Sequence, residues 1–177
     1  MHAPGLQEGT SHPDDWLHVV LYQPQIPQNT GNIGRTCVAL RARLWIVRPT
    51  AFRLDASHLR RAGLDYWDHL HWSAVDSWSE ISQRFPPEKM WLVTKFGSVK
   101  YCDASFAQGD ALVFGSETDG LPESMRERHP MSRQISLPMP GPVRSLNLAT
   151  AAGIVMYEAY RQVEHLRGNT DGEAEAG

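Results

Sequence analysis

Short runs of aliphatic and aromatic residues recur along the chain, at 17–22 (LHVVLY), 43–47 (RLWIV), 90–94 (MWLVT), 111–115 (ALVFG) and 133–137 (RQISL). They are largely continuous rather than alternating, the pattern of strands buried on both faces. Between them the apolar spacing changes to three and four, which predicts helices over 31–42, 55–62, 74–84, 122–128 and 145–166. Strands alternating with helices predict an α/β fold, a mostly parallel sheet with helices on both faces. No repeat or interior linker interrupts the pattern, so one domain is expected over 16–167. The small, polar, acidic tails at 1–15 and 168–177 are expected to be poorly ordered.

In open parallel sheets ligands bind beyond the carboxyl ends of the strands, which directs attention to three loops. PQIPQNTGNIGR follows the first strand and gathers Asn29, Thr30, Gly31, Asn32 and Gly34 near a helix start, with Arg35 in the first turn. Free backbone N–H groups there suit an anion or a ribose phosphate, although Asn29 or Thr30 could equally be a plain cap. Neither the Gly-Lys-Ser/Thr of a P-loop nor G-x-G-x-x-G is present, so a nucleotide-like ligand needs another cradle. GSETDGLP sets Gly115 and Gly120 around Ser116, Glu117 and Thr118, with Pro122 suited to open a short helix. On spacing alone, this is also compatible with an ordinary capped turn.

The third loop, PMPGPVRSLN, is harder to read as a simple connection. Pro138, Pro140 and Pro142 fix φ and remove donors, which predicts a pre-shaped wall of carbonyls for a flat ligand. Arg144, Ser145 and Asn147 then offer polar groups at a helix start, where Ser145 or Asn147 would also serve as a cap. Farther on, Ala149, Ala152, Gly153, Met156 and Tyr160 recur at helical spacing. Glycine inside a helix costs about 1 kcal/mol against alanine. Gly153 therefore implies that another backbone approaches closely, from the chain's own sheet or from a second subunit.

Charge changes this picture in one respect. The 177 residues carry a net charge of −3, yet three acids lie in each tail and neither tail has a lysine or arginine. Without those six acids, 17 basic groups face 14 acidic ones, and arginines 35, 41, 43, 48, 53, 60 and 61 face only Asp55 between positions 35 and 61. This is either a set of solvated arginines or a phosphate-contacting patch. No apolar run approaches the roughly 18 residues of a membrane span, and the first residues lack an export signature. A cytoplasmic location is expected. Cys37 and Cys102 read as reduced and non-nucleophilic, and His69 and His71 lack the further ligands a metal site needs. Trp67, Trp72, Trp78 and Trp91 read as core or interface.

The order PQIPQNTGNIGRTC, LRRAGLDYW, LVFGSETDGLP and ISLPMPGPVRSLNLATAAGIVMYEAYRQ resembles the SPOUT superfamily of RNA methyltransferases. Within it, the chain is most similar to the small tRNA wobble-position ribose 2′-O-methyltransferases, from about residue 17 to residue 162. The resemblance implies a carboxy-terminal deep trefoil knot, an obligate homodimer, and methylation of C or U at position 34 of tRNA, with leucine isoacceptors as expected substrates. It implies S-adenosylmethionine bound by Val93, Thr94, Gly115, Ser116, Glu117, Leu137, Pro138, Met139, Ser145, Leu146 and Asn147. Arg35, Asn29 and Ser145 would be catalytic, Arg35, Arg60, Arg61 and Arg144 would contact RNA, and Tyr157 would lie at the subunit contact. No metal and no membrane are implied. Another tRNA or rRNA site, or RNA binding without chemistry, is the alternative. The chain departs from the family pattern at Asp119, at Pro142-Val143 and at Ala149-Thr150.

Overall fold

The computed structural model describes residues 15–54 and 65–174. The helix expected at 55–62, with Arg60 and Arg61, lies outside the described residues. Among the described residues, seven strands form one sheet: β1 Leu17–Tyr22, β2 Arg43–Val47, β3 Trp72–Val75, β4 Met90–Val93, β5 Val99–Lys100, β6 Asp110–Phe114 and β7 Gln134–Ser136. Their order is β3-β2-β1-β6-β4-β7-β5, and every pairing is parallel. The helices are α1 Pro27–Leu40, α2 Trp78–Arg84, α3 Glu123–Glu127 and α4 Leu148–Ala174.

Successive side chains of a strand point to opposite faces, and both faces are covered here. Leu17, Val19 and Leu21 of β1 pack with Ile33, Cys37 and Leu40 of α1 and with Ala152, Val155, Met156 and Ala159 of α4. Val20, Trp45, Val47, Leu92 and Val113 point the other way, against Ile81 of α2 and Phe85 just beyond it. Each fully buried aliphatic or aromatic side chain is worth about 1.5–3 kcal/mol relative to exposure. Burial on both sides explains why the strands read as unbroken apolar runs.

Local signals moved several boundaries. Helix α1 begins at Pro27 rather than at 31, with Ile26 as the preceding cap residue. Proline's fixed φ and missing N–H suit the first helical position, so Asn29 and Thr30 lie inside the helix and do not cap it. Residues 74 and 75 belong to strand β3 instead of a helix, because Ser77 and Glu80 form a capping box that starts α2 at Trp78. The Glu80 carboxylate accepts from the N–H groups of Asp76 (2.8 Å) and Ser77 (3.1 Å). Helix α4 starts at Leu148 rather than 145, since the Asn147 amide oxygen accepts from the N–H groups of Ala149 (2.9 Å) and Thr150 (3.3 Å). Strand β5 has two residues, too few to carry a periodicity.

Candidate functional site

A cavity of about 470 Å³ opens where β4, β6 and β7 end. Its floor is buried apolar surface from Phe114 and Leu121. Val93 and Thr94 arrive from β4, residues 115–120 from the loop after β6, Leu137 and Met139 from the loop after β7, and residues 144–148 from the approach to α4. Ile26 and Asn29 complete it from the start of α1. All three loops singled out by sequence therefore meet at one place.

The loop after β6 is held tightly enough to need glycine. Ser116 and Gly120 exchange backbone hydrogen bonds of 3.2 and 3.0 Å, and Gly120 has φ +69°. A Cβ on Gly115 would lie 2.1 Å from the carbonyl carbon of Gly120. This fold of the loop directs Glu117 toward α1. Its carboxylate accepts from the backbone N–H of Gln25 (2.8 Å), the backbone N–H of Ile26 (3.0 Å) and the side-chain amide of Asn29 (3.1 Å). Thr118 adds a hydroxyl bond of 2.6 Å to the Gln25 amide oxygen.

The chain of hydrogen bonds continues across the cavity. Asn147 donates its amide to the Asn29 side-chain oxygen at 2.9 Å, while its own oxygen caps α4. Glu117, Asn29 and Asn147 thus run carboxylate to amide to amide to helix N-terminus, which leaves each Asn side chain one orientation in which both ends are paired. Among residues far apart in sequence, this series ties the three loops into a single wall. It also places the Ala149-Thr150 departure where the backbone N–H groups, not the side chains, carry the contact.

Of the residues expected to hold a cofactor, ten line this cavity: Val93, Thr94, Gly115, Ser116, Glu117, Leu137, Met139, Ser145, Leu146 and Asn147. Pro138 does not line it; Leu137 and Met139 do, while the exposed Pro138 and Pro140 alternate with them. Asn29 and Arg144 are also at the cavity, whereas Arg35 stands outside its lining. Arg35 is exposed and lies over the ring of Tyr66 at 4.6 Å, and the Tyr66 hydroxyl donates to the Gly31 carbonyl at 2.5 Å. Tyr157 is 54% exposed on α4. A Cβ on Gly153 would meet nothing within 4 Å, so the chain's own sheet is not the close neighbour that glycine implied.

Two features eluded the sequence reading. Lys95 and Phe96 line the cavity from the turn after β4, although the rule about strand ends applied to TKFG as much as to the three loops. Tyr66 lies in the LRRAGLDYW stretch but carries no charge to draw attention to its partnership with Arg35. The buried Cys37, by contrast, agrees with its reading as a non-nucleophile: burial pushes its thiol well above the ordinary range, which keeps it protonated.

Comparison with known proteins agrees with this geometry. The description of the SpoU rRNA Methylase family matches residues 16–157. A tRNA (cytidine(34)-2′-O)-methyltransferase of Methylovorus glucosotrophus (strain SIP3-4) is 41% identical over 144 residues, covering 81% of this chain and 94% of that protein. A solved structure described as giving insights into the 2-OH methylation of C/U34 on tRNA is 47% identical, with a TM-score of 0.75 over 82% of this chain and 95% of that one. The SpoU methyltransferase AviRb of Streptomyces viridochromogenes, solved in complex with the cofactor AdoMet, is 31% identical, with a TM-score of 0.69 over 84% of this chain and 60% of that one. The cavity built from three strand-end loops, the motif order and these matches converge: the chain belongs to the SpoU rRNA methylase family.

Proposed function

We propose that the protein transfers a methyl group from S-adenosylmethionine to the ribose 2′-hydroxyl of the wobble nucleotide, C or U at position 34, of tRNA, with leucine isoacceptors as substrates. The observation that carries this reading is the Glu117–Asn29–Asn147 series, which joins three loops into one cavity at the carboxyl edge of the sheet. Relatives and solved structures that are 41–47% identical over four-fifths of the chain and carry that activity in their names support the substrate.

The residues present fit the cofactor. A volume of about 470 Å³ falls within the roughly 300–1,000 Å³ of small-ligand sites. Gly115, where a Cβ would collide with backbone, lets main chain line the pocket. Val93, Thr94, Leu137, Met139 and Leu146 would hold the flat apolar part, and Ser116, Glu117, Ser145 and Asn147 the polar part. When bound, the cofactor supplies a sulfonium methyl whose leaving group is a neutral thioether.

The chain's own residues then position and polarise the acceptor. Transfer needs the ribose oxygen within about 3–3.5 Å of the methyl carbon and a path for its proton. Arg35 orients a phosphate and stabilises the alkoxide that develops, a task suited to a fork of N–H donors. Asn29, fixed by Glu117 and Asn147, presents a rigid edge beside the acceptor, and Ser145 offers a hydroxyl at the same wall. The working unit, residues 16–167, is a cytoplasmic homodimer with its carboxy-terminal part threaded as a trefoil knot. The uncovered stripe of Gly153, Tyr157 and Tyr160 on α4 supports such a subunit contact. One subunit offers the pocket while the other grips RNA.

The test is Arg35→Ala, assayed with labelled cofactor and tRNA. Methyl transfer should fall by about 100-fold or more while calorimetry shows unchanged cofactor binding. Loss of both would overturn the role of Arg35, and label away from the wobble ribose would overturn the substrate.

A further inference from the structure

The turn after β4 displays an aromatic ring to solvent. Phe96 is 55% exposed at the rim of the cavity. The turn is stiff: the Phe96 N–H donates to the Thr94 hydroxyl at 3.4 Å and the Gly97 N–H to the Thr94 carbonyl at 3.1 Å. Gly97 is pressed against β7 so closely that a Cβ would lie 2.3 Å from the Ile135 carbonyl carbon. The ring is therefore presented by design of the turn, not by slack in a loop.

Two cations accompany it. The Arg126 guanidinium lies 4.3 Å from the ring centroid, with its Nε donating to the Leu121 carbonyl at 3.4 Å, and the Lys95 ammonium lies 5.1 Å from the same centroid. A half-exposed ring flanked by positive charges matches single-stranded nucleic acid, whose bases stack on aromatics while its phosphates meet lysine and arginine.

We infer that Phe96 is a stacking platform for an unpaired base of the bound RNA, with Lys95 and Arg126 contacting the flanking phosphates. The inference rests on the tRNA reading above and extends it to a surface that reading does not use. The cofactor's adenine is the weaker occupant, because the buried walls of the cavity come from Phe114 and Leu121, whereas Phe96 stands at the rim beside two cations.

The experiment measures tRNA binding, cofactor binding and assembly state for full-length protein carrying Phe96→Ala, Phe96→Leu or Phe96→Trp. Phe96→Ala and Phe96→Leu should weaken tRNA binding by about five-fold or more, and by more than they weaken cofactor binding, with assembly unchanged, and Phe96→Trp should retain wild-type RNA affinity. Arg126→Ala should lower the slope of log affinity against log salt by about one. Unchanged RNA affinity in Phe96→Ala, full rescue by leucine, an equal loss of cofactor affinity or a shift to monomer would each overturn the platform. If the wild-type protein itself fails to bind tRNA, the tRNA reading falls and the platform with it. A wild-type that binds while Phe96→Ala binds equally well removes the platform alone.

Discussion

Each end of the sheet holds a carboxylate surrounded by donors, and the two do opposite jobs. At the amino end Asp110, the first residue of β6, is 1% exposed and accepts from Trp91 Nε1 (2.9 Å) and the Ala107 N–H (3.0 Å), with Lys89 at 3.5 Å and Arg133 at 3.9 Å. At the carboxyl end Glu117 accepts three N–H donors at 2.8–3.1 Å but is only half-buried beside the cavity. The hydrogen bonds are alike; the neighbours differ. Trp91 packs edge-on to Phe106 at 5.4 Å and carries Arg133 over its ring at 4.2 Å, which closes the amino end. Glycines and short polar side chains surround Glu117, which leaves the other end open. A satisfied carboxylate thus marks a site only where small residues leave room next to it.

The sharpest way to break this comparison is to remove each carboxylate. Asp110→Ala should cost about 2–4 kcal/mol, because it strands the Trp91 and Ala107 N–H groups, whereas Glu117→Ala should cost about 1–2 kcal/mol and weaken cofactor binding at least as visibly as stability. Urea unfolding beside calorimetry checks both, and a Glu117 variant that unfolds more readily yet binds cofactor normally would erase the distinction. Next, Gly115→Ala forces a Cβ against the Gly120 backbone and should cost about 3 kcal/mol, with loss of cofactor binding, by the same two measurements.

A smaller effect probes the closed end through pH. His18 lies 4.7 Å from Phe85, and its Nδ1 accepts from Trp45 Nε1 at 3.3 Å. Burial first, then Arg43 and Arg84, push its pKa down from 6.5 to about 4 against the opposing pull of Asp15. The fold therefore excludes a proton that the unfolded chain accepts, and stability present above pH 6.5 is lost as pH falls toward 4. By pH 5 the loss should reach about 2 kcal/mol. Denaturant unfolding at pH 7 and pH 5 should show a flatter dependence for His18→Gln; parallel curves would show that another group titrates. The smallest effect concerns Gly153. Gly153→Ala should stabilise α4 by up to about 1 kcal/mol while shifting the proposed homodimer toward monomer in sedimentation. A raised Tm with an unchanged dimer would move the subunit contact elsewhere.

How legible these regions were follows from the range of the interactions that build them. Strands β1, β2, β4, β6 and β7 could be read directly, because two-sided burial makes most of them contiguous apolar runs. Strand β3 could not, since Trp72 to Val75 is only half-buried at the sheet edge and its assignment turned on the Ser77–Glu80 capping box. Asn29 looked like a cap by local rules and proved to be a link, because its partners Glu117 and Asn147 lie 88 and 118 positions away.

The amino-acid sequence alone determined the α/β class, the three strand-end loops and the motif order that marks the family, since strand burial, proline and glycine geometry and residue spacing are local. Only the tertiary structure decided that Glu117, Asn29 and Asn147 join in one series, that Leu137 and Met139 rather than the prolines face the cavity, and that Phe96 stands between Lys95 and Arg126. Those outcomes depend on which strands become neighbours: β4 lies between β6 and β7, and no local pattern in the chain encodes that order.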